Sequence, residues 1–182
     1  MNLSWQPAKT YHHPIPYAIK RWLLYRGSMT ERMLSTCGSL RIQVLEHEYQ
    51  KPTLIEAQLL QIPSALVASI REIVMICDDT PWLYARTVIP LSVLTGRGKR
   101  LHHLGTTPLG RILFQELHLK RSGFEIAQMS DPHFLAQWGD RDLEKPAPLW
   151  ARRSQFIGLR SPILLSEIFL PSMQQVITGS NL

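Results

Sequence analysis

The chain has 182 residues and a formal net charge of +6 at pH 7, so it is long enough for one domain with its own core. Hydrophobic residues make up 45% of it and charged residues 19%, which excludes a disordered, collagen-like or coiled-coil protein. Cys37 and Cys77 lack C-x-x-C spacing. That excludes a disulfide framework and a thiolate zinc site, and favours a reducing compartment.

The sequence carries no targeting or membrane signal. Its N-terminus lacks the apolar segment of a signal peptide, and no window has the roughly 18 uninterrupted apolar residues of a membrane span. We therefore expect a cytoplasmic protein. The excess of basic residues suits either nucleic acid or an anionic small molecule. Because the one dense basic run, Arg97–Arg100, contains no aromatic residue to stack on bases, we expect no nucleic-acid partner.

The first part of the chain predicts two helices followed by two strands. Residues 1–20 contain three prolines and form an expected irregular arm, although helical apolar spacing already begins at Tyr17. The S-x-x-E pattern of a capping box at Ser28–Glu31 opens a second helix, so the two helices form a hairpin. Period-two alternation predicts a strand from Leu40, and a further strand is predicted after Pro52.

A β-hairpin is the strongest structural signal. Two β-rich runs, Arg71–Cys77 and Trp82–Ile89, flank the turn-forming tetrapeptide Asp78–Pro81. Whether the loop is this tetrapeptide or only its central pair, the register is the same, and it pairs Arg71 with Val88. The hairpin is therefore expected to set the geometry of any site on this part of the sheet.

The later part of the chain predicts one helix and three more strands. The helix begins at Thr107 and Pro108, and the strands cover Phe124–Met129, Leu149–Ile157 and Ile163–Leu170. Residues 131–148 are polar, contain prolines and predict a long loop. Strands joined by short turns, with helices grouped apart from them, indicate a single α+β domain around an antiparallel sheet.

The hairpin register places two arginines on one face of the sheet. It makes Arg71 and Arg86 diagonal neighbours among apolar side chains. Two unpaired cations there are costly, so we expect an anion between them. The alternative is that Glu72, Glu167 or solvent neutralises them.

Glu167 and two helix ends complete the set of candidate site residues. Glu167 has apolar neighbours on both sides in the last strand, where a carboxylate is usually ion-paired or protonated with a raised pKa. Met29 and Leu109 fall in the first turns of the two capped helices, whose free N–H groups suit a carboxylate. Such ends are often ordinary caps, so on their own they indicate little.

Metal and nucleotide chemistry lack their sequence patterns. The adjacent histidine pairs at residues 12–13 and 102–103 have no partner at metal-ligand spacing. Serine-hydrolase, P-loop and dinucleotide-binding motifs are also missing. We expect neither a metal nor a cofactor.

Six co-linear motifs make the sequence resemble the chorismate lyase (chorismate–pyruvate lyase) family, over about residues 22–171. The motifs are GSMT at Gly27–Thr30, REI at Arg71–Ile73, PWLYARTVIP at Pro81–Pro90, LGTTPLGR at Leu104–Arg111, LWARRS at Leu149–Ser154 and LSEIFLP at Leu165–Pro171. Two departures are visible, since Ala85 stands where glycine often precedes the Arg-Thr pair and residues 131–148 resemble an insertion.

The resemblance implies an enzyme that removes pyruvate from chorismate and leaves 4-hydroxybenzoate, a precursor of ubiquinone or plastoquinone, without a metal or cofactor. It implies a six-stranded antiparallel sheet with helical flaps over an internal ligand site, and we expect a monomer. Arg71 would hold the ring carboxylate together with the main-chain N–H groups of Met29 and Leu109. Glu167 would bind the 4-hydroxyl, and Arg86 would meet the departing enolpyruvyl carboxylate. Arg71, Arg86 and Glu167 form the expected catalytic set.

The alternative function is a sensor. The same fold serves bacterial repressors as a domain that binds a small-molecule effector without turning it over. Those proteins carry an N-terminal winged helix, for which residues 1–20 are too short. We therefore rank the enzyme first, the sensor second and a basic nucleic-acid binder third.

Overall fold

A computed structural model describes residues 3–138 and 148–179. Their core is an antiparallel sheet in the order β1-β6-β7-β8-β4-β3-β2, with β5 paired to β7 off this path. The eight strands are β1 Gln6–Pro7, β2 Leu40–Gln50, β3 Ala68–Cys77, β4 Thr80–Pro90, β5 Lys120–Arg121, β6 Glu125–Met129, β7 Leu149–Ile157 and β8 Ile163–Phe169.

The expectation of six strands is wrong by two short ones. β1 and β5 have two residues each, too few to produce a periodic sequence signal. β1 belongs to the segment expected to be irregular, and it pairs with β6 through Gln6 and Ile126. The three strands predicted late in the chain are confirmed as β6, β7 and β8.

Five α-helices accompany the sheet: α1 Tyr17–Leu23, α2 Met29–Leu34, α3 Leu54–Leu60, α4 Pro132–Trp138 and α5 Pro171–Gly179. The predicted helical hairpin is confirmed by α1 and α2, and the Ser28 side chain caps α2 by accepting from the N–H of Glu31. The segment after Leu104 adds one helical stretch, which begins at Leu109 and continues as a π-helix over Arg111–Glu116. None of the helices in the described residues is long and apolar enough to cross a membrane.

The strand predicted after Pro52 is a helix. Thr53 and Glu56 form a complete capping box, in which each side chain accepts from the other residue's backbone N–H. The T-x-x-E pattern was therefore present in the sequence, and the mixed apolar run after Pro52 obscured it. This helix, α3, delivers Glu56 to the sheet.

The hairpin of β3 and β4 has a different register from the predicted one. Its loop is Asp78–Asp79, both with positive φ (45° and 62°), as a two-residue primed turn requires. An irregularity between Met75 and Ile76 then shifts the pairing by one residue, so Arg71 lies opposite Thr87. Because side chains alternate across a strand, this shift reverses the face of every later residue on β4.

The two faces of the sheet carry different cores. The larger core, on the face covered by α1, α2, α5 and the π-helix, includes Ile73, Leu83, Leu165 and Phe169; we call this the inner face. The outer face carries one cluster with the α4 side chain Phe134 and another with the α3 side chain Leu60. Most of the predicted site residues lie on the inner face.

The predicted long loop over residues 131–148 is only partly described. Residues 132–138 form α4, which begins with Asp131 accepting from the N–H groups of His133 and Phe134. Residues 139–147 lie outside the described residues. The helix arises because Asp131-Pro132 combines an N-cap residue with proline at the first helical position.

Cys37 and Cys77 form a disulfide across the inner face. It joins the segment after α2 to the end of β3, and Asp78 accepts from the N–H groups of Gly38 and Ser39 beside it. The sequence, which excluded a disulfide framework and favoured a reducing compartment, did not predict this crosslink. The two cysteines are forty positions apart in the sequence, and only the packing of α2 on the sheet brings them together.

We expect this crosslink to contribute substantially to stability. The chain-entropy relation gives about 4 kcal/mol for a loop of this length. Denaturant unfolding with and without a thiol reductant measures it, because the reduced protein should unfold at a lower midpoint. The Cys37→Ser/Cys77→Ser double variant is the control, since its midpoint should not respond to reductant. Two freely titrating thiols in the folded, unreduced protein would contradict the disulfide.

Candidate active site

A cavity lies between the inner face and the helical segments that cover it. Its floor comes from β3, β4 and β8, and its cover comes from the start of α2 and from the chain around Leu109. The charged residues in its wall are Arg71, Arg121 and Glu167. The remaining wall is mostly apolar, which lowers the local dielectric and strengthens any charge interaction inside.

Arg71 is a buried cation with unused donors. Its side chain lies on β3 and the residue is 1% exposed. Nη2 donates to the carbonyl of Gly105 at 2.7 Å and, at 3.5 Å, to that of Thr107, whereas Nε and Nη1 have no partner among the described residues. Burial lowers the pKa of Arg71 to about 10, so it stays charged at neutral pH. A buried cation with unsatisfied N–H groups is suited to a carboxylate ligand.

Glu167 is an ionised carboxylate held by two arginines. Arg152 Nε donates to Oε2 at 2.7 Å and Arg121 Nη2 donates to the same oxygen at 3.2 Å. Burial raises the pKa of Glu167, but Arg152 and Arg121 outweigh burial and hold it below its usual value. Within the described chain neither arginine uses Oε1, so that oxygen can accept a hydrogen bond from a ligand in the cavity.

Arg152 ties Glu167 to the end of α1. It is fully buried, and its Nη1 donates to the carbonyls of Trp22, Leu23 and Tyr25 at 3.1, 3.2 and 2.8 Å. The carbonyls lie at the end of α1, where helical acceptors lose their intrahelical donors, although that of Trp22 also accepts from the N–H of Tyr25 at 3.2 Å. Arg152 therefore fixes Glu167 and the cover at once, and it does not itself line the cavity.

Arg121, on β5, is the second cation at Glu167. Its Nε donates to Ser154 Oγ at 2.9 Å and its Nη1 to the carbonyl of Gly27 at 3.4 Å. The rings of Phe124 and Phe156 lie 4.9 Å from its guanidinium carbon. Burial lowers the pKa of Arg121 to about 10, and the charge of Glu167 opposes that change. Unlike Arg152, Arg121 forms part of the cavity wall.

The two predicted helix ends meet at the cavity. Met29 is the first residue of α2, and Leu109 begins the stretch that leads into the π-helix. A Cβ placed on Gly110 would lie 3.5 Å from Ser28 Oγ, so the two starts are in contact. First-turn N–H groups lack intrahelical acceptors, and both chain segments border the same space as Arg71.

Arg86 lies on the outer face, and the expectation that it shares a face with Arg71 is wrong. The one-residue shift pairs it with Glu72, which accepts from Nη1 at 2.5 Å, while Glu56 accepts from Nε at 2.8 Å and Nη2 at 3.1 Å. Burial alone would lower the pKa of Arg86, but the two carboxylates raise it. The alternative that Glu72 neutralises an arginine is thus confirmed for Arg86.

The structure therefore brings four of the five predicted residues together. Sequence reasoning missed Arg121 and Arg152. A signal for Arg152 was present, because Trp150, Arg152, Ser154 and Phe156 alternate along β7, and a charge in such a buried row needs a partner. No comparable pattern indicates Arg121, because β5 has only two residues.

The charges around the cavity are unbalanced. Arg71, Arg121 and Arg152 are positive and Glu167 is the one carboxylate among them, which leaves two positive charges. This surplus matches a ligand with two carboxylates. Within residues 3–138 and 148–179, no three His, Cys, Asp or Glu side chains are grouped to hold a metal ion; that the reaction needs none stays a prediction.

Solved structures with similar folds include a GntR-family transcriptional regulator from Bacillus cereus and a repressor domain. The chain matches PhnF from Mycobacterium smegmatis with a TM-score of 0.61 and 16% identity, covering 82% of this chain and 66% of that one. It matches the C-terminal domain of the histidine utilization repressor from Pseudomonas syringae with a TM-score of 0.57 and 14% identity, covering 74% and 94%. At these identities the likeness concerns the fold alone.

Sequence relatives carry the functional information. The probable chorismate pyruvate-lyase of Hydrogenovibrio crunogenus is 37% identical over 171 residues, covering 92% of this chain and 90% of that protein. The chorismate pyruvate-lyase of Serratia proteamaculans is 35% identical over 179 residues, covering 98% and 92%. The family model described as chorismate lyase matches residues 1–178. The chain belongs to the chorismate lyase family.

Proposed function

We propose that the protein is a lyase that eliminates pyruvate from chorismate and leaves 4-hydroxybenzoate, the aromatic precursor of ubiquinone or plastoquinone. The observation that carries this proposal is the cavity whose wall contains both Arg71, with two N–H-bearing nitrogens that have no partner in the described chain, and an ionised Glu167. Chorismate is a dianion with a ring hydroxyl, so it offers carboxylates for the cations and a donor for the carboxylate. Membership of the chorismate lyase family supports the same reaction.

Arg71 binds the ring carboxylate in this proposal. Its free N–H groups and the main-chain N–H groups of Met29 and Leu109 come from three different segments around the cavity. A carboxylate has two oxygens and about four acceptor sites, so it can satisfy several of these donors together. The three segments thereby fix the orientation of the ring.

Glu167 positions the 4-hydroxyl. Because its pKa is lowered by two arginines, it accepts a hydrogen bond and does not supply a proton at neutral pH. The same low pKa makes it a weak base. We therefore assign the C4 hydrogen to the methylene carbon of the enolpyruvyl group of the substrate itself, which becomes the methyl group of pyruvate.

In the proposed reaction the main task of the protein is to confine the substrate. The C3–O bond breaks as the C4 hydrogen moves, the ether oxygen becomes the keto oxygen of pyruvate, and the new C3–C4 double bond completes the aromatic ring. Holding the reactive conformer out of water and meeting its charges with fixed donors lowers the barrier. We do not extend the contact predicted for Arg86 into this scheme, because Glu56 and Glu72 hold it on the other face.

We also propose a monomeric, cytoplasmic enzyme that acts on this small molecule and not on nucleic acid. The arginines that carry the argument are buried in the interior, where a phosphate backbone has no access. Disulfides persist mainly in oxidising compartments, so in the cytoplasm Cys37 and Cys77 would be reduced for part of the time.

An effector-sensing role is the second candidate, favoured by the fold shared with a transcriptional regulator and a repressor domain. A sensor would need the same charge complementarity but no turnover. Incubating the purified protein with chorismate separates the two functions. We expect 4-hydroxybenzoate and pyruvate in equal amounts, with the rate unchanged by a chelator because guanidinium and N–H groups neutralise the substrate. Binding without product would favour the sensor, and a chelator-sensitive rate would contradict the metal-free scheme.

The pH dependence tests the ionisation of Glu167. Burial raises its pKa, but Arg152 and Arg121 hold it below the ordinary carboxyl range, so kcat/KM for chorismate should stay level from about pH 5.5 upward. It should fall as Arg71 and Arg121 lose their protons near pKa values of about 10, because neutral guanidines no longer hold the ring carboxylate and Glu167. Burial and Arg71 lower the pKa of His47, and His47→Gln is the control for any acid limb it causes. A limb between about pH 6 and 8 that survives in His47→Gln would contradict an ionised Glu167.

Glutamine substitutions separate the two faces of the sheet. Arg71→Gln should weaken 4-hydroxybenzoate binding by about 2–4 kcal/mol, because a charge-assisted contact is lost from a desolvated site. Arg86→Gln should leave the product affinity within about threefold and lower the free energy of unfolding by about 2–3 kcal/mol, because Glu56 and Glu72 lose their shared cation. Titration calorimetry and urea unfolding measure both quantities.

The Arg86→Gln/Glu56→Gln double variant is the control for this comparison. It removes one of the two carboxylates that Arg86→Gln leaves unpaired, and it should therefore recover part of the lost stability. An Arg86→Gln protein that loses product affinity as severely as Arg71→Gln would contradict the placement of Arg86 away from the product. A loss of turnover with product affinity retained would return Arg86 to the enolpyruvyl contact predicted from the sequence.

A further inference from the structure

The second carboxylate of the substrate lacks an assigned partner once Arg86 is placed on the outer face. Arg71 is committed to the ring carboxylate in the proposed scheme. Arg152 directs Nη1 at three backbone carbonyls and stays out of the cavity wall. Of the charged residues in that wall, only Arg121 is then left to meet the enolpyruvyl carboxylate.

Arg121 lies beside Glu167, and this position determines which part of the substrate Arg121 can contact. Its Nη2 bonds Glu167 Oε2 at 3.2 Å, so the two side chains form adjoining parts of the cavity wall. In chorismate the enolpyruvyl ether is on C3 and the hydroxyl is on C4, the neighbouring ring carbon. A substrate whose 4-hydroxyl meets Glu167 therefore carries its enolpyruvyl group next to Arg121. This step rests on the proposed function.

The guanidinium of Arg121 is also fixed in advance. Ser154 Oγ accepts from Nε at 2.9 Å, and its phenylalanine neighbours at 4.9 Å limit its movement and exclude water. The bond from Nη1 to the Gly27 carbonyl is the longest of its hydrogen bonds, at 3.4 Å. Because this bond is the weakest of the three, Nη1 is the donor that can exchange its protein partner for a ligand at the lowest cost in free energy.

We infer that Arg121 is a further catalytic residue, which binds the enolpyruvyl carboxylate and stabilises the negative charge that develops on the departing group as the C3–O bond breaks. A preorganised cation in a desolvated cavity is effective in this role because it needs no reorganisation during the reaction. A residue that merely held Glu167 in place would serve substrate and product equally, since both carry the 4-oxygen. Arg121 serves the substrate more, because only the substrate has the second carboxylate.

Two stable analogues isolate this contact. One is 3-(carboxymethoxy)-4-hydroxybenzoate, a dianion that mimics the placement of both carboxylates, and the other is its side-chain amide, which has nearly the same shape and one charge fewer. Their dissociation constants, and that of 4-hydroxybenzoate, are measured for the wild type, Arg121→Gln and Arg121→Lys. Arg153→Gln is the matched control, because Arg153 is a buried arginine that bonds Glu125 on the outer face. Arg86→Gln tests the rival assignment.

We expect the wild type to prefer the dianion at least tenfold and Arg121→Gln to lose that preference. Its affinity for 4-hydroxybenzoate should change less than fivefold, while kcat for chorismate should fall at least a hundredfold. Arg153→Gln should keep the preference. Arg121→Lys keeps the charge and should retain part of the preference, which supplies the answer if Arg121→Gln does not fold.

Three results would overturn the inference. The first is a preference for the dianion that survives in both Arg121 variants unchanged. The second is its loss in Arg86→Gln alone. The third is a fall in 4-hydroxybenzoate affinity as large as the fall for the dianion, which would make Arg121 a positioning residue for Glu167. A wild-type protein that does not convert chorismate would instead refute the proposed function, whatever the analogues show.

Discussion

The ion pair between Arg152 and Glu167 is the interaction on which the site depends. The two residues are cross-strand partners on β7 and β8, and their side chains are 0% and 4% exposed. Further hydrogen bonds to its remaining atoms stabilise a buried ion pair. Here Arg121 donates one to Glu167, and three carbonyls at the end of α1 accept from Arg152 Nη1, while Arg152 Nη2 has no partner in the described chain. The sheet register, the cover and the charge of Glu167 are consequently one linked arrangement.

Unsatisfied charge within this linked arrangement lowers the free energy of unfolding, and the cost indicates that the cavity binds a ligand. Arg71 and Arg152 both keep buried nitrogen atoms without a hydrogen-bond partner in the described chain, and the inner face holds more positive than negative charge. Unsatisfied buried cations oppose folding. A fold tolerates such local conflict where a ligand relieves it. In the proposed complex a dianionic substrate balances this positive charge, so binding relieves the electrostatic cost of the buried arginines.

Much of the fold could be predicted from the sequence because its signals are local. Helical apolar spacing predicted α1, a capping box predicted α2, alternation predicted β2, and β-rich runs around a turn predicted β3 and β4. The face of Arg86 could not be obtained in this way. It depends on which residues of β3 and β4 lie opposite each other. A single irregularity beside Met75 shifts that pairing by one residue and so reverses the face of every later side chain on β4. No local pattern in the sequence marks that irregularity.

The partners of the candidate site were harder to foresee than its members. Arg71 and Glu167 are conspicuous because each is a charge within an apolar strand. Arg121 lies on a two-residue strand and Cys37 lies beyond a short helix, and both acquire their roles only when α2 packs on the sheet. Long-range packing of this kind has no sequence period.

The sheet uses its two faces to keep opposite electrostatic conditions apart. On the outer face Arg86 is enclosed by two carboxylates, so a cluster with one surplus negative charge lies at the contact between α3 and the sheet. On the inner face the ratio is reversed, and arginines outnumber the single carboxylate. Arg86 and Arg71 lie on neighbouring strands of one hairpin. The same hairpin therefore carries excess negative charge on its outer face and excess positive charge on its inner face. A similar fold occurs at 14% identity in the C-terminal domain of a repressor, so we attribute the proposed affinity for a dianion to this inner-face surplus and not to the fold.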